Sequence, residues 1–390
     1  MQQSASAIID RMRSLSSLIA ACLLAANLGA SEGAQAQSPA AEPDSGSVVC
    51  APGVFFSEPD GCLPLGPSSY LTELANSGFT LPPSPLPASR PDRSLADIPI
   101  RYFHVISDEP VSVGSAPGDS GGQILYPGFV YIAYVDRVDT GQGIYYLTES
   151  GGWVPGKGER VGEVSLFQGL TFGFTPRTDF GWAFEDIPIK ASPGFSAAGT
   201  GSGLRPFDVV QIYGTQQSEG ADWYMIGPGQ WVEARKVAGV FVNPQPPEGS
   251  NGAERWIDVD LAEQTLAVYE KGKLVFATMI SSGTEGTWTR PGLHQIYRTV
   301  ASETLRNNDP RDFYYLEEVP WTMYFDGPRA LHGAYWRTRF GFPQSHGCVN
   351  LSVGDAQWLF NWAHEGDWVY VHDSTGRTPT DPASYGGGAY

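Results

Sequence analysis

Two histidines and a cysteine crowd a short stretch towards the end of the chain: His332, His346 and Cys348. A thiol attacks a carbonyl only as its thiolate, and a free cysteine has a pKa of about 8.5. An imidazole that takes the proton is the usual way to activate such a nucleophile. His346 stands two residues before Cys348, so in an extended segment both side chains face the same way. His332 lies sixteen residues upstream and can return across a neighbouring strand. Gly347, directly before the cysteine, lets a substrate carbonyl approach the backbone, whose N–H groups could hold an oxyanion. Spacing alone leaves this trio ambiguous. Cys348 could be a buried structural thiol. The three side chains could also bind zinc, although no fourth ligand stands at a familiar spacing. His294, His364 and His372 have no evident partners.

The elements that must position these groups are mostly short strands. Trp256 to Leu261 alternates as a strand does, Gln264 to Tyr269 reads as a second and Lys273 to Ile280 as a third. Lys271-Gly272 between the last two has the look of a hairpin turn. Further strands are expected at His294 to Val300, Trp321 to Phe325 and Trp368 to His372. One helix is expected after the cysteine. Ser352 to Asp355 is a capping-box-like start, and Ala356, Leu359, Phe360 and Ala363 follow at helical spacing.

Upstream, a pattern repeats. Pro110 and Pro188, Phe129 and Phe207, Tyr145 and Trp223, and Trp153 and Trp231 are all 78 residues apart. A period of that length means tandem domains rather than a solenoid of short repeats. Short alternating strands such as Phe129 to Val135, separated by Gly, Pro and Asp turns, describe a small β-barrel in each copy. The stretch from Trp223 to Val232 resembles bacterial SH3-like domains, which often accompany cell-wall enzymes.

The stretch from Ala330 to Ser352 closely resembles the L,D-transpeptidase catalytic domain, the YkuD family. That family's signature is an upstream His followed by Ser/Thr-His-Gly-Cys-hydrophobic-Asn, which here reads His332, then Ser345-His346-Gly347-Cys348-Val349-Asn350. The resemblance extends from about Arg255 to His372 and includes Thr289-Arg290-Pro291-Gly292 and Met323-Tyr324-Phe325. It implies that Cys348 attacks a peptidoglycan stem peptide at its third residue, expelling the terminal D-alanine and forming a thioester. The side-chain amine of a second stem peptide then takes the acyl group. His332 would be the general base and later the acid. Gly333 follows it, so its backbone carbonyl would orient the imidazole. The Gly347 and Cys348 N–H groups would hold the oxyanion, while Ser345, His346 and Asn350 would shape the site. Tyr324, Trp336 and Arg337 are candidate substrate contacts. No metal or organic cofactor is implied, and carbapenem-type β-lactams should acylate Cys348.

The expected class is therefore a mostly β chain, with tandem SH3-like barrels followed by a β-rich catalytic domain. Its divisions are a signal peptide at 1–36, a Pro/Ser-rich linker at 37–97, and repeats at 98–165 and 176–242. A linker at 243–253, the catalytic domain at 254–373 and a disordered tail at 374–390 follow. Arg11 and Arg13 precede an apolar run ending near Leu28, and Ala34-Gln35-Ala36 supplies a cleavage site, so export is expected to the periplasm or the outer face of the cell. No spanning segment should remain after cleavage. Lipid attachment at Cys22 is a less favoured route. Cys50 and Cys62 bracket a Pro/Gly-containing loop and form the natural disulfide in an oxidising compartment, which leaves Cys348 as the odd thiol. A net charge of −18 argues against a nucleic-acid partner. Three acceptors share the acylation half: a stem peptide, water (an L,D-carboxypeptidase), or a protein amine to be attached to the wall. An alternative of another class is a non-catalytic wall-binding protein.

Overall fold

The computed structural model describes residues 86–156, 160–161 and 164–385. The leader, Cys22 and the Cys50–Cys62 pairing lie outside the described residues. What is described is mostly strand, with one α-helix, Val353–Trp362, among those residues.

Two sheets enclose the main core. One runs in the order Ala88–Ser89, Leu170–Phe172, Lys273–Met279, Thr265–Glu270, Arg255–Asp260, Trp368–His372 and Gly292–Gln295. The other contains Val349–Leu351, Arg329–Gly333 and the long Tyr314–Asp326 strand. Ile257, Val259 and Val268 of the first meet Met323, Leu331 and Val349 of the second, and Leu359 of the helix joins them. The turn at Lys271 and Gly272 has φ of 51° and 69°, the left-handed pair that a tight two-residue hairpin demands. The helix starts where Ser352 Oγ accepts the Asp355 N–H at 3.3 Å. That capping bond satisfies one of the donors a helix start leaves unpaired.

The strand expected from His294 to Val300 is two strands, Gly292–Gln295 and Arg298–Asn307, which lie in different sheets. The break falls at Ile296, whose side chain enters the core. The strand expected from Trp321 to Phe325 begins at Tyr314. Glu318 and Trp321 have φ of 48° and 60°, so the strand is bent by irregular residues that hide its alternation. The stretch expected to be a disordered tail carries a short helix, Pro382–Tyr385, and the Arg329 guanidinium lies 4.9 Å from the Tyr385 ring.

The 78-residue spacing recurs in the strands. Arg101–Val105 lies between Phe129–Asp139 and Arg160–Val161, as Asp179–Ala183 lies between Val209–Ile212 and Val237–Val240. The first repeat also joins the second core sheet. Its Phe129–Asp139 strand pairs in parallel with Tyr314–Asp326, placing Phe129 opposite Tyr314 and Tyr131 opposite Leu316. Beyond that point the Glu317 carboxyl takes over, accepting the Ala133 N–H at 3.0 Å. Tyr102 stacks on Tyr335 with ring centroids 3.4 Å apart, and the two hydroxyls donate to the Glu318 and Glu317 carbonyls.

Buried carboxyls sit at these junctions. Burial raises Glu317 to about 7, against the Ala133 N–H that favours its charge. Burial raises Glu263, which accepts the Gly239 N–H, to about 7, and Asp355, which accepts the Gly169 N–H, to about 6. A carboxyl whose folded pKa is raised stabilises the fold fully below its unfolded value, and loses that contribution as pH rises through the folded value. Glu317→Gln should therefore gain stability relative to the wild type between pH 5 and 8, by roughly 2 kcal/mol. Melting temperatures of both proteins across that range check this, and a constant difference would contradict the sign.

Candidate active site

The Arg329–Gly333 strand is buried along its whole length. It pairs antiparallel with the Tyr314–Asp326 strand and parallel with Val349–Leu351, in a register that sets His332 opposite Asn350. Cys348 directly precedes Val349, so its thiol sits at the entry of the strand that flanks His332. The segment before it is clamped from one side. Gln344 and Ser345 donate their N–H groups to the Ser282 carbonyl, both at 2.9 Å. Thr289 Oγ1 donates to the Gly347 carbonyl at 2.9 Å. Gly347 has φ of 114°, a region that a side chain rarely adopts. A Cβ there would also stand 3.2 Å from Arg329 Nε.

A chain of hydrogen bonds fixes His332. Arg337 Nε donates to Asn350 Oδ1 at 2.6 Å, and Asn350 Nδ2 lies 3.0 Å from His332 Nε2. Guanidinium has donors only, so the amide oxygen must face Arg337 and the amide nitrogen must face His332. Nε2 is then an acceptor, and the proton resides on Nδ1, which lies 3.2 Å from the Gly333 carbonyl. Burial is the main force on this imidazole and holds it neutral down to about 4, opposed by the Gly333 carbonyl and assisted by the positive Arg337. Burial also pushes the Cys348 thiol up, while the Ala330 N–H and Arg329 oppose it. Cys348 is partly exposed, so the push acts on a thiol that water still reaches. Its sulfur lies 3.8 Å from the Pro328 carbonyl. Thiol and imidazole are thus both neutral, and the Nε2 lone pair of His332 is occupied by Asn350.

His332, Cys348, Arg337, Trp336, Ser345, His346 and Asn350 open to one cavity of about 250 Å³. Trp336 lies beside His332, with ring centroids 5.7 Å apart. His346 sits at the rim, its Nε2 3.2 Å from Asp312 Oδ1 and its ring over Tyr314. Ser345 Oγ accepts the Gly347 N–H at 3.1 Å and donates to the Cys348 carbonyl. Tyr324 does not line the cavity; the Arg298 guanidinium covers its ring at 5.3 Å. Sequence reasoning missed Phe129, Leu305, Tyr314, Leu316 and Gln344, which complete the walls. Phe129 comes from the first repeat and meets Trp336 edge-on at 6.3 Å. Nothing in its own sequence neighbourhood signals a partner 207 residues away. Among the described residues no group of His, Cys, Asp or Glu gathers as a metal would require.

Residues 254–371 match the L,D-transpeptidase catalytic domain family, YkuD. Among solved structures, an L,D-transpeptidase from Stackebrandtia nassauensis is similar at 30% identity, over 33% of this chain and 58% of that one, with a TM-score of 0.27. The chain therefore spans less than two thirds of that relative. The catalytic domain of an L,D-transpeptidase from E. faecium is similar at 27% identity, over 31% of this chain and 98% of that one, with a TM-score of 0.28. An L,D-transpeptidase solved in complex with imipenem is similar at 17% identity, over 42% and 90% of the two chains, with a TM-score of 0.29. A comparison with curated proteins gave no match.

Proposed function

We propose that this chain is a cysteine-dependent L,D-transpeptidase that joins peptidoglycan stem peptides through their third residues. The observation that supports it most is that Cys348 and a buried, neutral His332 open to one cavity, within a segment that matches the catalytic domain family. As substrate enters, His332 Nε2 exchanges its contact with Asn350 for the thiol proton. The thiolate carbon–sulfur bond forms at the third-residue carbonyl and the amide C–N bond breaks. The imidazolium returns its proton to the departing D-alanine amine. In the second half the side-chain amine of another stem peptide attacks the thioester, its proton passes to His332, and the Cys348 thiolate leaves. The Cys348 N–H, next to the reacting carbon, is placed to hold the oxyanion, since the Gly347 N–H already serves Ser345. The protein acts after export, and the two repeats, read as SH3-like, present the catalytic domain to the wall. Carbapenems mimic the donor and acylate the same sulfur.

The test is intact mass of the protein from Gln37 onward after mixing with a tetrapeptide donor or a carbapenem, followed by product analysis with an acceptor stem peptide. A thioester mass and a cross-linked product are expected. Release of tripeptide alone, whatever the acceptor, would make the protein a carboxypeptidase. No adduct on a folded protein would leave a wall-binding protein as the better account.

A further inference from the structure

Arg337 is half-buried in the catalytic cavity, and among the described residues no carboxylate pairs with it. A cation drawn partly out of water without a counter-charge costs free energy to retain. Burial lowers its pKa to about 10, with only Tyr131 of the first repeat opposing, so it remains charged at neutral pH. Its fork is only partly used. Nε serves Asn350 Oδ1, one terminal nitrogen serves Gln344 Oε1 at 2.8 Å, and the other serves the Gln344 carbonyl. Guanidinium carries five N–H groups, so one N–H on each terminal nitrogen is left over. Those structural bonds to an amide and two carbonyl-type oxygens do not need a charge. Phe129 and Trp336 line the same cavity, and their apolar rings weaken the competition of water for that cation.

We propose that Arg337 is the receptor for a carboxylate of the donor stem peptide. This rests on the reading of the cavity as the stem-peptide site. Such a donor can offer a carboxylate from two sources close to the scissile bond. One is the free α-carboxylate of the terminal D-alanine. The other is the side-chain carboxylate of the third residue, where that residue is diaminopimelate rather than lysine. Bidentate recognition by an arginine is charge-assisted and geometrically selective.

The experiment measures Cys348 acylation of the full exported chain by four donors: D-alanine as free acid or as amide, each with diaminopimelate or lysine at the third position. The wild type should prefer the charged donor at one of the two positions by about 10- to 100-fold. The position that carries the preference identifies the source. Arg337→Gln should bring that ratio close to one, and Arg337→Lys should restore part of it. The ratio is taken within each variant, so loosening of Asn350 or loss of folded protein does not mimic the result. A wild type indifferent at both positions, or a preference that survives in Arg337→Gln, overturns the proposal while leaving the transpeptidase reading intact. Failure of all four donors to acylate the wild type overturns both.

Discussion

Cys348→Ala should form no covalent adduct with a stem-peptide donor or a carbapenem, and His332→Ala should form it about 10²- to 10⁴-fold more slowly, the range that a positioned general base supplies. The pH dependence separates the two roles. Burial holds the imidazole of His332 neutral down to about 4, so the wild-type acylation rate should be flat from about pH 5 to 8. An ordinary exposed histidine would instead impose an acid limb near 6.5. Without His332 the reaction must wait for thiolate formed by solvent, and the thiol is pushed up by burial. The His332→Ala rate should therefore climb about tenfold per pH unit across the same interval, because thiolate fraction does so below the pKa. Stopped reactions resolved by intact mass at four pH values suffice. A wild-type limb near 6.5 would mean that the imidazole is not held as the buried geometry requires. A variant rate independent of pH would remove His332 from the role of base.

That these candidate residues cluster was legible because they are close in sequence: Ser345 to Asn350 occupy consecutive positions, and His332 returns on the adjacent strand. Local signals also located the Lys271-Gly272 turn and the Ser352 cap, since each depends on a few neighbouring residues. The cavity walls were not legible. Phe129 reaches the site only because a strand of the first repeat adds to the edge of a distant strand. Backbone pairing of that kind leaves no mark on residue type. Arg337 illustrates a middle case. The family resemblance marked it as a candidate contact, but its lack of a counter-charge among the described residues emerges only from the fold. The irregular residues Glu318 and Trp321 concealed the length of their strand, since each shifts the alternation that sequence reading follows.

Tyr335→Ala is expected to destabilise the protein by about 3–5 kcal/mol, the cost of truncating a fully buried aromatic. Tyr335 is 0% exposed, stacks on Tyr102 of the first repeat, and donates its hydroxyl to the Glu317 carbonyl at 2.7 Å. Its loss should also release the first repeat from the catalytic sheet, because Tyr102 then faces a cavity and the Glu317 bridge to Ala133 loses its support. The adjacent Trp336 packs edge-on against Tyr335 and lies beside His332. Acylation should therefore fall together with stability. Tyr335→Phe separates the two parts of the argument. It keeps the stack and loses one hydrogen bond, so its cost should be only about 1 kcal/mol, with acylation close to normal. Denaturant unfolding, followed in parallel by tryptophan fluorescence and by the fraction of Cys348 still acylated, measures both. The two probes should coincide in the wild type and in Tyr335→Phe and part in Tyr335→Ala. Coincident transitions in Tyr335→Ala, at nearly wild-type stability, would mean that the first repeat is not a wall of the active site but a separate body resting against it.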